Sequence, residues 1–318
     1  MNASMPGEQP SRSASEPIPA PGTGERKSPR QSSLLGSPLL SLAALQNKVR
    51  EFEPALELPE WPENSRGVPN LCLRSALFGV IRRGRRRAVK GAQICTVKGL
   101  SVRYTGWRLD QGDFDVLVQA LHLQARCPGD AAGKHLRFEV KSFLRSIGRQ
   151  PGKSGREWLK DAFRRLTATA VEIKIDIPNQ YMSETFTYAG SLVEEFIYNE
   201  REQTYFLKIN PRLVNLFDAG WTGLQWQQRL QLKTNLAKWL HGFYASHREP
   251  FPIKVATLKL LCGSESGRLV DYRRNLRLAM SELVRVGAIE FWKIDLEDKI
   301  HVRKNTQKPL SGESGAGA

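Results

Sequence analysis

The residues that could carry chemistry in this sequence lack the spacing that catalysis requires. The run GRQPGKS at 148–154 is similar to a phosphate-binding loop, but it has three residues between its glycines, one too few for that loop. The run also follows a helix-like segment, whereas the loop follows a strand. Neither a GxSxG elbow nor a recognisable acid/base pair of carboxylates is present. The sequence therefore does not favour nucleotide binding or hydrolysis, and we predict no catalytic residue.

Cysteine and histidine residues are equally dispersed. The four cysteines lie more than 20 residues apart without a CxxC pair, which is typical of a reducing compartment. The five histidines form no HxH or HExxH pattern. We predict no metal and no cofactor. One enzyme class stays open, in which one of the seven tyrosines attacks DNA, although nicking proteins of this kind need a metal-holding histidine pair.

Composition indicates a folded protein with a polyanionic partner. The 318 residues include 48 Lys+Arg against 32 Asp+Glu, a net charge of +16, and 40% are hydrophobic. That is enough apolar material for one or two cores, and the charge makes nucleic acid the first partner to test. No stretch reaches the roughly 18 to 20 apolar residues of a membrane-spanning helix, and no secretory signal is present. We expect a soluble, cytoplasmic protein.

The N-terminal region has the composition of a disordered arm. Eleven of the 18 prolines lie in residues 1–70, and such Pro/Ser/Gly-rich segments cannot bury enough surface to fold. We therefore predict an arm over residues 1–65 and a flexible tail over 305–318. Within the arm, Gln31, Leu34 and Leu35 have the pattern of peptides that bind the bacterial sliding clamp. A chance apolar spot in a linker is the alternative.

An internal repeat gives the predicted architecture. Residues 138–173 and 253–290 share a skeleton of apolar and glycine positions, for example Phe143, Gly148 and Leu159 against Leu258, Gly263 and Leu276. Each copy reads as a short helix, a turn that begins with glycine, a longer helix and an extended apolar run. That order is a helix-turn-helix followed by a β-wing. The fold class is therefore α+β, with tandem winged-helix domains over 66–188 and 189–304.

Both long helices are predicted to expose basic faces opposite a buried stripe. Leu159, Ala162, Phe163 and Leu166 form the stripe in the first copy, and Leu269, Tyr272, Leu276, Met280 and Leu283 form it in the second. A charged outer face can be mere solvation, but two faces of one sign on the groove-entering helices predict DNA contact. The candidate DNA-binding residues on these helices are Lys153, Arg156, Lys160, Arg164, Arg268, Arg273, Arg274 and Arg277.

Two further basic segments are candidates for phosphate contacts. After the second long helix, 288–292 and 299–303 form a wing-like hairpin whose cations are Lys293, Lys299, Arg303 and Lys304. In the first copy we predict the wing over 170–177 and 184–188. The densest charge run forms a basic arm that tracks phosphates or, alternatively, a solvated loop; its arginines are Arg82, Arg83, Arg85, Arg86 and Arg87.

At these residues the chain resembles the TrfA-type plasmid replication initiators. The strongest match is the run SHREPFP at 246–252, followed by LCGSES at 261–266 and the Arg-rich helix up to Ala288. Further matches are Trp61-Pro62, the run RSALF at 74–78, Tyr104-Thr105-Gly106, and Leu166 with the run ATA at 168–170. The resemblance covers about residues 60–304.

This resemblance implies tandem winged-helix domains that bind direct repeats, called iterons, in double-stranded DNA at a plasmid origin. It also implies opening of an AT-rich segment, recruitment of the host initiator protein and replicative helicase, and exchange between dimer and monomer with chaperone help. The family's clamp-binding peptide lies just before Trp61-Pro62, where this chain has FEPALEL instead, so Gln31 to Leu35 is a displaced candidate. A winged-helix repressor that binds a promoter operator is the alternative.

Overall fold

The computed structural model describes residues 58–305 except 82, 83, 85, 98, 99, 127–134 and 179–182. The elements up to the first helix-turn-helix are β1 (Ser65–Pro69), α1 (Asn70–Leu73), β2 (Phe78–Gly79), β3 (Ala88–Ile94), β4 (Leu100–Trp107), β5 (Leu109–Asp110), α2 (Gln111–Ala125), β6 (Leu136–Glu139), α3 (Val140–Ser146) and α4 (Lys153–Thr167).

Strands and short helices then lead to the second helix-turn-helix. These elements are β7 (Ala170–Pro178), β8 (Ser183–Gly190), β9 (Val193–Asn199), β10 (Thr204–Ile209), a 3₁₀ turn (Pro211–Val214), α5 (Asn215–Asp218), β11 (Trp221–Gln225), α6 (Trp226–Leu230), α7 (Asn235–Ala245), β12 (Ile253–Lys254), α8 (Val255–Leu261), α9 (Leu269–Arg285), β13 (Ile289–Ile294) and β14 (Lys299–Lys304). No helix among the described residues is both long enough and apolar enough to cross a membrane.

The repeat is confirmed by two sheets of the same design. A three-stranded antiparallel sheet of order β6-β10-β9 flanks α3 and α4, and a sheet of order β12-β14-β13 flanks α8 and α9. In each, the short strand that leads into the first helix pairs with the returning strand of a wing hairpin. The fold is α+β, with two winged-helix modules in tandem.

The hairpin predicted over 170–177 and 184–188 is confirmed, but its assignment as the wing of the first module is wrong. Strands β7 and β8 instead extend the β3-β4 hairpin into a four-stranded antiparallel sheet of order β3-β4-β7-β8. Val171, Ile173 and Tyr188 are buried there with Val102 and Tyr104 of β4, which explains the pairing. The wing is the hairpin β9-β10, whose returning strand places Thr204 opposite Glu139 of β6.

The described residues form two apolar cores. The first contains buried side chains from Val68 to Trp226, and the second contains buried side chains from Leu232 to Ile300. A division at residues 188 and 189 lies inside the first core, so we propose that the first module extends to α6. Trp61, inside the predicted arm, stacks on Phe217 with 6.2 Å between ring centroids, so we propose that the first module begins before residue 65.

Helix α2 begins where the sequence predicts it. The Asp110 carboxylate accepts hydrogen bonds from the backbone N–H groups of Gly112 and Asp113, at 2.8 and 3.0 Å. The Asp113 carboxylate accepts the N–H of Asp110 in return, at 3.0 Å. This reciprocal capping box satisfies donors that the first turn of a helix leaves free. It fixes α2, the central helix of the first core.

A buried ion pair joins the two modules. Arg229 of α6 is fully buried, and its Nε lies 2.7 Å from Oδ1 of Asp115 on α2. The same guanidinium donates to Gln111 Oε1 and to the carbonyl of Lys238 on α7, both at 2.8 Å. Burial alone would raise the pKa of Asp115, but Arg229 and the Lys238 ammonium hold that pKa below its ordinary value. Within the first module the guanidinium therefore connects α6 to α2, and its bond to the Lys238 carbonyl, together with the ion pair between Lys238 and Asp115, ties the first module to the second.

Removing Asp115 is expected to destabilise the fold strongly. Asp115→Ala leaves the Arg229 guanidinium buried without its counter-charge, which costs about 3 to 5 kcal/mol of unfolding free energy. Urea denaturation measures this loss. The matched control is Asp161→Ala, which removes a carboxylate from an ion pair with Arg164 whose side chains are 55% and 60% exposed and should change stability by about 1 kcal/mol or less. Equal losses in the two variants would contradict a special role for the junction.

Stability is also expected to fall as pH drops below about 6.5. His241 is buried, and desolvation together with the Arg229 charge lowers its pKa to about 3. The unfolded chain therefore binds a proton at pH 4 to 6 that the folded chain does not, so the stabilisation is present above the unfolded pKa and is lost on acidification. One such group changes the unfolding free energy by about 1.4 kcal/mol per pH unit in this window.

His241→Gln should reduce this pH slope by about one proton between pH 6 and 4. Urea denaturation at several pH values measures the slope, and comparing slopes removes any constant loss from altered packing. The wild-type protein is the control, and an unchanged slope in the variant would contradict the neutral buried state of His241.

Candidate nucleic-acid interface

The two helix-turn-helix units have matching turns. Gly148 follows α3 with a φ of 70°, and Gly263 follows α8 with a φ of 60°. This left-handed conformation favours glycine. The N–H of Gly148 donates to Arg145 O at 3.0 Å, and that of Gly263 donates to Leu260 O at 2.9 Å. The turns therefore direct α4 and α9 away from the preceding helices in the same manner.

The buried stripes of the long helices agree with the prediction. Leu159, Ala162, Phe163 and Leu166 of α4 are fully buried, as are Tyr272, Leu276, Met280 and Leu283 of α9. Leu269, at the start of α9, packs against the second core while partly exposed. Because these residues occupy one side of each helix, the opposite sides are fixed toward solvent.

The outer face of α4 carries four predicted cations, of which two have an ion-pair partner among the described residues and two do not. Lys153 is exposed and Arg156 half-buried, and neither side chain has an ion-pair partner within the described part of the chain. Lys160 Nζ lies 5.4 Å from the ring centroid of Tyr198 on the wing and 3.9 Å from Glu200 Oε1. Arg164 pairs with Asp161 at 3.0 Å. Lys153 and Arg156 are thus the cations available to an incoming anion.

The outer face of α9 divides in the same way. Arg274 and Arg277 are exposed, and their side chains form no ion pair or hydrogen bond with any residue that the structure describes. Arg268 pairs with Asp271 at 3.0 Å. Arg273 donates two hydrogen bonds to Asp298 in the turn of the wing, at 2.9 and 2.8 Å. Arg273 therefore holds the turn of the wing against α9.

The wing of the second module carries mostly neutralised charge. Arg303 pairs with Glu290 at 2.8 Å, and Lys299 pairs with Glu297 in the turn. Lys304 donates to the carbonyls of Ala245 and His247, and burial lowers its pKa. Lys293 is exposed and unpaired within the described residues. Of the four wing cations predicted to face phosphates, Lys293 is therefore the one without a partner among the described residues.

One arginine of the predicted basic arm, Arg86, forms ion pairs within the folded protein. Arg86 pairs with Asp110 at 2.7 Å and with Asp113 at 2.8 Å, and Arg165 of α4 pairs with the same Asp113 at 2.7 Å. Arg87 is exposed, and Arg82, Arg83 and Arg85 lie outside the described residues. The geometry removes Arg86 from the set that could track phosphates. The sequence feature that indicates this role is the pair of acidic capping-box residues, Asp110 and Asp113, with which Arg86 pairs.

The structure adds one cation–π contact that the sequence analysis missed. The guanidinium carbon of Arg149, in the turn of the first helix-turn-helix, lies 3.3 Å from the ring centroid of Trp158 on α4. Stacking of this kind orients the arginine and packs the turn against the helix. Within the described ranges no group of three or more potential metal ligands occurs. The clamp-peptide candidates Gln31, Leu34 and Leu35 lie outside these ranges.

Two winged-helix modules, each with an outward basic helix, define the class of this chain as a tandem winged-helix protein. The chain belongs to the TrfA protein family, whose sequence model matches residues 33–304. The resemblance stated from the sequence is confirmed. The plasmid replication initiator protein TrfA of Escherichia coli is 28% identical over 267 residues, which cover 81% of this chain and 67% of that relative.

Two solved structures are similar to this chain at low sequence identity. Domains 2 and 3 of RctB have a TM-score of 0.51 at 11% identity, covering 76% of this chain and 99% of that one. The Pi initiator protein in complex with iteron DNA has a TM-score of 0.43 at 15% identity, covering 60% of this chain and 91% of the other.

Arg86 and Arg87 are expected to differ in what they stabilise. Arg86→Ala removes two charged hydrogen bonds from the cap of α2 and should lower the unfolding free energy by about 1 to 3 kcal/mol. The neighbouring Arg87→Ala changes an exposed side chain and should stay within about 0.5 kcal/mol of wild type. Urea denaturation of both variants tests this, and a neutral Arg86→Ala would contradict the structural assignment.

Proposed function

We propose that this protein initiates replication of a plasmid by binding direct repeats, or iterons, in double-stranded DNA at the origin. The observation that carries the proposal is the pair of long helices, α4 and α9, with unpaired cations on the outer faces of two modules that Arg229 locks together. Membership of the TrfA family and the name of the Escherichia coli relative support the step from DNA binding to plasmid initiation.

The free cations divide into two roles on chemical grounds. Arg274 and Arg277 have forked guanidinium groups, which suit bidentate contact with guanine in the major groove. Lys153 and Lys293 are exposed point charges, which suit phosphate oxygens. Arg156 of α4 is less exposed than these four residues. The remaining predicted cations would have to exchange an existing carboxylate partner for DNA, so each contributes less to the binding free energy. These residues are Lys160, Arg164, Arg268, Arg273, Lys299 and Arg303.

The steps after binding follow from the family. The protein would open an AT-rich segment and recruit the host initiator protein and the host replicative helicase, with no catalysis of its own. It would exchange between a homodimer and a DNA-binding monomer with chaperone help. Gln31, Leu34 and Leu35 would supply a contact to the sliding clamp.

A footprint on the DNA that flanks the gene tests the proposal. Evenly spaced protection over direct repeats beside an AT-rich segment is the expected result, measured at two salt concentrations because affinity depends steeply on salt. A single palindromic footprint would instead indicate a repressor. A nicked product from supercoiled plasmid with Mg²⁺, or a covalent tyrosine adduct, would indicate an enzyme and overturn the proposal.

Single substitutions should separate base contacts from phosphate contacts. Arg277→Ala is expected to cost about 1 to 3 kcal/mol of binding free energy and to relax one base position. Lys153→Ala should weaken binding to all sequences alike and reduce the salt slope by about one. Titration of labelled repeats at several salt concentrations measures both effects.

The matched control is Arg285→Ala, at the far end of α9, where the guanidinium donates to the carbonyl of Gln231. Binding by this variant should remain close to wild type. If Arg274→Ala and Arg277→Ala bind the repeats as wild type does, α9 is not the recognition helix.

A further inference from the structure

Helix α9 exposes apolar side chains that its core packing does not require. Val270 is 57% exposed, Leu278 is 62% exposed and Val284 is 40% exposed, whereas the four stripe residues of α9 from Tyr272 to Leu283 are fully buried. Leu278 lines a cleft together with Val80 and Asn235, two residues that do not belong to α9. Val270 stands in the first turn of the helix and belongs to neither of the two cores that the described residues form.

The position of Val270 on the helix places it among the free arginines. At about 100° per residue, Arg274 lies about 40° and Arg277 about 20° from Val270 around the axis, while Leu276 of the buried stripe lies about 120° away. With a rise of about 1.5 Å per residue, Arg274 and Arg277 follow about 6 and 10 Å further along. The three side chains therefore form one outward surface, which we call the Val270 face.

An apolar group beside two guanidinium groups has one natural counterpart in duplex DNA. The major-groove edges of the bases carry hydrogen-bonding groups and a single apolar group, the C5 methyl of thymine. Residues near the N-terminus of a recognition helix are the ones that reach base edges. We propose that Val270 contacts a thymine methyl in the repeat and so makes α9 a specificity-determining element. This assignment rests on the proposed function.

The first module lacks an equivalent residue, which makes the inference specific. The repeat that aligns Leu159 with Leu276 places Lys153 where the second module has Val270. Lys153 is exposed and charged, and a lysine at that position favours phosphate over a methyl group. The proposal therefore assigns methyl recognition to α9 alone and predicts that the two halves of the binding site differ in thymine dependence.

Replacing thymine by uracil tests the contact directly, because uracil keeps the hydrogen-bonding pattern and lacks the methyl group. Repeats are synthesised with one thymine at a time changed to uracil, and the affinity of the full chain is measured for each. Wild type is expected to lose about fourfold at one position, the effect of one methyl group removed from burial. Val270→Ala should lose affinity for the thymine repeat and show no further loss at that position with uracil.

Val284→Ala is the matched control, since it removes the same side chain from the same helix about 21 Å further along. It should retain the wild-type uracil profile, and thermal unfolding should show that both variants fold. If Val270→Ala keeps the full uracil sensitivity, or if wild type shows none, the assignment is overturned while repeat binding still stands. If wild type does not bind direct repeats at all, the proposed function and the assignment both fall.

Discussion

The placement of the two described cores against each other depends on the buried guanidinium of Arg229. A planar group with directional donors fixes orientation as well as distance, and here its donors end on Asp115 and Gln111 of α2 and on a carbonyl of α7. Burying such a charge is expensive and is weak evidence for stability as such. What it provides is a defined placement of one core against the other. In the proposed function, two DNA-contacting helices held at a fixed separation would select DNA by the spacing of its contact sites as well as by its bases.

Ion pairing within the fold also decides which basic residues remain available to a binding partner. A net charge of +16 predicts a polyanion, yet the fold uses many of the cations for itself. Arg86 and Arg165 share the buried Asp113 beneath the cap of α2, and Arg273 ties α9 to the acidic turn of its wing. Burial and the neighbouring Asp110 raise the pKa of Asp113, and the two arginines oppose that rise. Total charge therefore identifies the class of partner, and only the pairing identifies the residues that can meet it.

Local patterns in the sequence were enough to predict the helices, their buried stripes and the cap at Asp110, because each depends on residues within a few positions of one another. The glycine turns followed for the same reason. The first wing could not be predicted in this way, since the segments 170–188 and 193–209 both alternate like strands and the choice depends on pairing with a four-residue strand, β6, that lies far away in the chain. The junction was invisible for a similar reason, because Arg229 and Asp115 are 114 residues apart.

The two modules use one framework for surfaces of different chemistry. Their turns, stripes and sheets correspond element by element, so the buried side of each long helix is constrained by packing and the outer side is not. On α4 the outer side carries lysines and arginines together with Glu157 and Asp161, and Lys160 lies 5.4 Å from the ring centroid of Tyr198 on the wing. On α9 the outer side joins two free arginines to an exposed valine. In the proposed function, α4 would therefore keep the register on DNA while α9 discriminates bases, since only the residues that carry no structural contact are free to differ.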